Sequence, residues 1–481
     1  MDSVANPAEL TSVDDTDAAM TISERLASFT TGFAYQDIPE EVLERAKLHI
    51  LDCLGIGLAS ATYRFGHIMA NAMQGLGGDG PYPIIGLPMR LPLRDAIHVN
   101  GTLVHGLDFD DTHGGGVIHA SASAVPTVLG MAQAHGATGK GALSAYLIAI
   151  ETASRIGMAV NGNFHRAGHH PTGLVGAFGC TLAAGRLADL SAPQLALAQG
   201  ITLSMASGSL EFLSDGAWTK RQHPGWAGVC GVTAAAMAKQ GFEGPMQAYE
   251  GRYGLFNLHL GKHIGATADY DADIVTAGLG ESWELSNVAF KPYPACHFNH
   301  AFADAALTLQ KEHSLWPGEI DSIVARIGEG QVQVVCEPEA DKRRPRNEYE
   351  AQFSVHYIIA AALSRGRFTL DELDPNAFND PAILELCDRV TYEVDEQSNY
   401  PRYYSGEVTV RTKDGREVTH REDHNRGSDA NPLTTADLEE KFFANATRCV
   451  SRDRAQQVLD LVMKLDRAPD LSELGDALTA G

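Results

Sequence analysis

A chain of 481 residues is too long for one ordinary domain, and a hydrophobic content of 44% can fill a large core. Lys and Arg number 37 against 61 Asp and Glu, a formal net charge of −24, which argues against nucleic acid or an anionic membrane as partner. A small anionic substrate stays open, because a few well-placed lysines reverse a local field.

The first residues, 1–19, are polar and acidic (Asp2, Asp14, Asp15, Asp17), with neither a basic start nor a long apolar run. They read as a disordered tail and not as a secretory signal or membrane helix. Cys53, Cys180, Cys230, Cys296, Cys336, Cys387 and Cys449 are scattered without a C-x-x-C pair. That spacing disfavours zinc-ribbon and iron–sulfur patterns and suggests a reducing compartment, with the cytoplasm as the expected address.

Residues 20–265 read as helical. Pro39-Glu-Glu opens a helix with acids near its positive end, and Val42, Leu43, Ala46, Ile50, Cys53 and Leu54 then recur at helical spacing. Gly55 and Gly57 cost helix propensity, so they are expected where another helix comes close. Segments 122–134, 141–160, 174–188 and 229–239 are Ala- and Gly-rich, suited to tightly packed helices but not to a bilayer. No fixed-period repeat is evident, which favours a compact helical domain over a solenoid.

Texture changes over 266–430. Short strands are expected at 320–327, 332–335, 390–394, 407–412 and 417–420, the last two flanking a two-residue Asp414-Gly415 turn, with helices at 300–312 and 353–363. From 431 to 481 the chain is helical again: Thr434 or Thr435 caps a helix whose Leu438, Phe442 and Phe443 face, with 458–465, returns to the first domain. The expected fold is mainly α, a large all-helical domain interrupted by a smaller α+β lid, with a ligand cleft between them.

Six stretches carry polar groups out of keeping with their apolar surroundings. His105-Gly-Leu-Asp-Phe-Asp-Asp-Thr112 and His119-Ala-Ser-Ala-Ser123 gather His105, His113 and His119 with three carboxylates. Asp108, Asp110 and Asp111 suit a loop better than a helix interior. His165-Arg-Ala-Gly-His-His-Pro-Thr172 precedes a small-residue helix whose N-terminus is a ready anion site beside His170 and Thr172. Trp218-Thr-Lys-Arg-Gln-His-Pro-Gly-Trp226 brings two cations and His223 to another such helix, and Phe290-Lys-Pro-Tyr-Pro-Ala-Cys-His297 holds Lys291 at a rigid turn. Glu350-Ala-Gln-Phe-Ser-Val-His-Tyr357, taken singly, reads first as a helix with Phe353 and Tyr357 on its core face.

Together, D-F-D-D-T, H-P-T before a Gly-rich helix, T-K-R-x-H-x-G, K-P-Y-P-x-C and A-x-F-S-x-x-Y resemble the MmgE/PrpD family in order and over nearly the whole chain. That family includes 2-methylcitrate dehydratases, cis-aconitate decarboxylases and an iminodisuccinate epimerase. The resemblance implies a helical domain with a smaller lid, a homodimer, and catalysis without metal or organic cofactor. It carries the pocket onto Asp108, Thr112, His119, His170, Lys220, Lys291 and Tyr357, with His113, Ser121, His223, Cys296 and His297 as neighbours. The longer loop associated with the proteobacterial 2-methylcitrate dehydratases is missing between Thr112 and His119.

Those residue types suit one kind of chemistry. Lys220, Lys291, Thr112 and the helix end near His170 would hold substrate carboxylates and stabilise the electron-rich state formed when a proton or carbon dioxide leaves. His119 is the expected acid/base, with Asp108 orienting a histidine or carrying a second proton, and Tyr357 reaching in from the lid. The leading expectation is a cofactor-independent, 2-methylcitrate dehydratase-like lyase of a small di- or tricarboxylate. A cis-aconitate decarboxylase-like or epimerase reaction is the alternative from the same pocket. From other classes, Asp108, Asp110, Asp111 and nearby histidines could bind a metal that activates water, or the protein could bind carboxylates without turnover.

Overall fold

The structure is a computed structural model that describes residues 20–400 and 402–479; the tail expected over 1–19 lies outside the described residues. Helices dominate it. Ile22–Gly32, Glu40–Ser60, Arg64–Gly77, Leu93–His105, Ala120–His135, Gly139–Ala159, Pro171–Leu187, Ala192–Leu203 and Thr219–Lys239 follow one another through the first half. Pro39 stands at the cap of its helix, with Glu40 and Glu41 in the first turn where the macrodipole favours them. Thr21 and Glu24 cap the first helix reciprocally.

Small residues set the packing. Thr219–Lys239 lies against both Pro171–Leu187 and Leu93–His105. At the second crossing a Cβ added to Gly101 would meet the Cα of Gly225 at 2.5 Å, so backbone touches backbone. Gly55 plays the expected part against the C-terminal region: its missing Cβ leaves room for the Phe442 ring, 2.8 Å from where that atom would stand. Phe442, Val458, Leu459, Val462 and Leu465 accordingly share one hydrophobic core with Ile50, Leu54, Val125, Phe178 and Cys230.

A second core forms around Phe302, Ile323, Ile327, Val355, Ile358, Ile359, Val390 and Val408. Its four-stranded sheet runs Val390–Val394, Ile320–Ile327, Gly406–Thr412, Glu417–Glu422, the first pair parallel and the others antiparallel. The helices His300–His313 and Val355–Arg365 complete it, the latter capped by Ser354. The hairpin before Glu417 closes with three residues and not two. Gly415 N–H bonds to Thr412 O, Thr412 N–H to Arg416 O, and Gly415 takes φ 89°, the left-handed step that follows a type I turn in such loops.

One expected strand is absent. Residues 332–335 end the helix Glu329–Val335, whose buried Gln331, Val332 and Val335 face inward. The apolar run is too short for its period to distinguish helix from strand, and Gly328 with Glu329 supplies a helix start instead.

Candidate active site

The acidic loop lies at the seam of the two cores. Leu107 and Phe109 belong to the second core, while Asp108 between them lines the neighbouring cavity and Asp110 after them turns to His105. An antiparallel pairing of Thr112–His113 with Val288–Ala289 ties this loop to the segment that delivers Lys291. Asp108 itself holds φ 51°, a left-handed conformation that Asp tolerates better than most residues but seldom adopts without reason.

Two buried ammonium groups converge on Asp108. Lys220 Nζ lies 2.7 Å and Lys291 Nζ 2.9 Å from Asp108 Oδ1, and Lys291 also donates to the Asp108 carbonyl at 2.9 Å. Burial opposes charge on Asp108, but the two lysines outweigh it and hold the carboxyl well below its usual range. An ammonium has three N–H donors, so both lysines keep capacity for an incoming carboxylate. Lys220 is further seated over the Phe353 ring, 5.1 Å from its centroid.

The histidines are oriented by groups that fix where their protons sit. His119 precedes the helix Ala120–His135, and its Nδ1 lies 2.9 Å from the Asp111 carbonyl, which only accepts; the proton is therefore on Nδ1 and Nε2 carries a free lone pair. Thr172 anchors the backbone there by accepting from His119 N–H at 3.1 Å. Burial, helped by Lys291 and Lys220, pushes His119 down to about 3, so its imidazole is neutral near pH 7. His105 Nδ1 pairs with Asp110 Oδ2 at 2.8 Å. His170, at the cap of Pro171–Leu187, shares a hydrogen bond with His223 across 2.9 Å between their Nδ1 atoms. Burial and the neighbouring imidazole hold His170 well below the ordinary histidine value. Asn425 accepts Tyr404 N–H with its oxygen, which turns its amide nitrogen toward His297 Nε2 at 2.8 Å and leaves a proton on His297 Nδ1.

Behind the loop, Asp111 accepts from the Ser121 backbone at 3.2 Å and from its hydroxyl, and His49 Nδ1 lies 2.7 Å away. Lys441, from the helix Thr435–Ala446, reaches Asp52 at 2.7 Å and donates to the Phe109 carbonyl at 2.9 Å. The floor of the site is thereby braced from two sides.

Asp108, Thr112, His119, His170, Lys220, Lys291, Cys296 and His297 all line one cavity of about 90 Å³. Eight of the twelve residues singled out from sequence, drawn from five separate segments, thus meet in one place. His223 stands one step back, bonded to His170. Tyr357 is a correction: its side chain is fully buried in the second core, and its hydroxyl donates to the Glu372 carbonyl, away from the cavity. From that side the cavity is lined instead by Tyr404, whose ring packs edge-on against His297 and which was not anticipated. Asp108 also departs from expectation, for it grips lysines, and His119 is oriented by the Asp111 carbonyl; Asp108 Oδ1 is 3.9 Å from His119 Nε2. Val117, His165, Leu213, Phe298, Val334 and Phe353 border both this cavity and a larger one of about 1180 Å³ that adjoins it.

Two groups here have metal-ligand spacing, His105 with His119 and His170, and Asp108 with Asp110 and His119. In the second, the shared Asp108 oxygen is already engaged by two cations.

Comparison with known proteins gives the chain's family. Residues 24–265 match the MmgE/PrpD N-terminal domain and residues 293–467 the MmgE/PrpD C-terminal domain. A cis-aconitate decarboxylase of Homo sapiens is 31% identical over 94% of this chain and 93% of its own length. That of Mus musculus is 29% identical over 94% and 92%. A mitochondrial 2-methylcitrate dehydratase of Yarrowia lipolytica is 24% identical over 78% of this chain and 74% of its own. With both domains matched in order across most of its length, the chain belongs to the MmgE/PrpD family and is a lyase of that type.

Proposed function

We propose that the chain eliminates a small group from a di- or tricarboxylate without a cofactor, in the manner of a 2-methylcitrate dehydratase. The observation that carries this reading is the meeting of two buried ammonium groups and an unprotonated imidazole nitrogen at one small cavity. Lys220 and Lys291 grip a carboxylate and stabilise the aci-carboxylate charge that grows as the α-proton leaves. His119 Nε2, neutral in the free enzyme, accepts that proton. The departing hydroxide takes a proton from a neutral donor of the cavity lining, a role assigned in this proposal to Tyr404 or to His297 Nδ1–H.

Decarboxylation of a cis-aconitate-like acid is the second reading, supported by the names of the full-length relatives. There carbon dioxide departs, the electron pair stays on carbon, and a protonated His119 delivers the proton. The negative charge of the bound substrate favours that protonated form.

Residues 20–265 and 431–481 form the helical domain in this proposal, and 266–430 form a lid bringing Phe298, Phe353 and Tyr404 to the far wall. Closure would exclude water from the cleft. A homodimer follows from the family reading. The seven free cysteines support a cytoplasmic address, and no described helix is long and apolar enough to cross a membrane.

NMR of purified enzyme with 2-methylcitrate, citrate, cis-aconitate and iminodisuccinate tests the reading, because loss of water, loss of carbon dioxide and inversion give different products. One of these acids is expected to turn over, and His119→Ala to cut that turnover by about 10²–10⁴-fold with the fold intact. Near-normal activity in His119→Ala removes this histidine from the reaction; no turnover of any acid leaves only carboxylate binding.

A further inference from the structure

We propose that His105, His119 and His170 form an inhibitory site for one borderline-soft divalent cation, zinc foremost. Its inhibitory effect, though not its existence, rests on the reading of His119 as proton carrier. One ring nitrogen from each of the three lies within 4.8 Å of the others. His105 is 1% exposed, and its Nε2 has no hydrogen-bond partner, an unspent lone pair since Nδ1 faces Asp110. His119 likewise spends Nδ1 on the Asp111 carbonyl. His170 directs Nδ1 at His223, and with the proton on the His170 side of that bond its Nε2 is free as well.

This is the arrangement that outer-shell groups impose on metal-binding histidines: a carboxylate, a carbonyl and an imidazole each hold one ring nitrogen and leave the other as ligand. Burial keeps His119 and His170 unprotonated near neutrality, so a cation displaces no proton from them. Imidazole ligands select zinc, copper or nickel over calcium and magnesium. Tetrahedral zinc with Zn–N near 2.0–2.1 Å wants nitrogens about 3.3 Å apart, so the rings must draw together. His119 is the member free to do so, at the cavity wall with 13% of its side chain exposed. Once bound, the metal occupies the lone pair that would take the substrate proton.

Cobalt(II) is the probe, added to wild-type enzyme and followed by its visible absorption. The expected result is an intense low-coordinate spectrum saturating at one equivalent per chain and abolished by one equivalent of zinc. Turnover should be lost in parallel and restored fully by a chelator. His105→Asn should weaken cobalt binding at least tenfold, and zinc-soaked wild-type crystals should show one anomalous peak among the three rings. The crystal result decides the matter if that variant misfolds. A peak elsewhere, no stoichiometric spectrum, unchanged affinity in folded His105→Asn, or stimulation by zinc overturns the proposal. Cobalt binding without turnover of any acid would count against the lyase substrate reading alone, and turnover without cobalt binding against this site alone.

Discussion

Replacing Tyr357 by phenylalanine takes one hydroxyl out of the second core, where it bonds to the Glu372 carbonyl. Such a bond contributes about 1 kcal/mol net, so Tyr357→Phe should lower stability by that order and leave turnover unchanged. Tyr404→Phe should do the reverse, holding the denaturation midpoint while reducing kcat roughly tenfold or more, because Tyr404 lines the cavity and the proposed function gives its hydroxyl a proton to deliver there. Stopped kinetics in Tyr357→Phe, or untouched kinetics in Tyr404→Phe, would undo the assignment. The A-x-F-S-x-x-Y stretch shows what sequence could and could not convey here. Its Phe353 does reach the site under Lys220, its Ser354 caps the helix, and Tyr357 falls on the core face. Periodicity identifies an inward face but not which of two interiors it meets. The lysines were legible for the opposite reason: a Lys beside a Pro-x-Pro turn or entering a small-residue helix has no structural role to hide in. Asn425, which sets the His297 proton, lies 128 residues from it and had no local signal.

The helix Thr435–Ala446 does more than seal the first core. Leu438, Lys441, Phe442 and Asn445 form its buried stripe, so a lysine occupies a position that spacing marks as interior. Lys441 satisfies Asp52 and the Phe109 carbonyl together, which makes a C-terminal element a brace for the acidic loop. Lys441→Ala would leave the Asp52 carboxylate buried and unpaired, at a cost of roughly 3–5 kcal/mol. Adding Asp52→Asn should recover much of that stability and little of the turnover, since the loop carbonyl still lacks its donor. Denaturant midpoints and kcat for both variants check this; full recovery of activity in the double variant would show that the brace does not position the loop. The capping Thr434 and the apolar face of this helix were readable in advance, as were the long Ala- and Gly-rich helices, because their period repeats over many turns. The segment 332–335 was not, because four apolar residues fit either period and the cap at Gly328 decided between them.

Across the whole molecule the two cores meet along a seam stocked with imidazoles that are buried and uncharged. Burial pushes His49, His223 and His356 down to about 4 and His119 and His300 down to about 3, and holds His170 and His297 well below their usual value. It lowers His98, His165, His169 and His259 too. In the unfolded chain each titrates near 6.5, so below that pH the unfolded state binds protons that the native state refuses. The stability these groups contribute is therefore present above about pH 6.5 and lost progressively as pH falls toward their folded values of about 4 and 3. Asp52 and Asp304, which burial raises to about 6, work in the opposite sense between about pH 4 and 6, as does Glu151, which burial also raises, but they are three against many. At constant ionic strength the urea midpoint, followed by tryptophan fluorescence, should fall steadily from about pH 7 to about pH 4. The decline should begin well before the carboxylates paired with lysine start to protonate. The same neutrality bears on catalysis, because C2–H resonances of His119 and His170 in histidine-labelled enzyme should not titrate between about pH 5 and 8. A midpoint that stays level down to pH 4.5, together with ordinary titration of those resonances near 6.5, would mean that the seam is wet and its imidazoles charge freely. The proton-accepting nitrogen of the proposed lyase chemistry would then be neutral only above about pH 6.5, and turnover should fade below that pH.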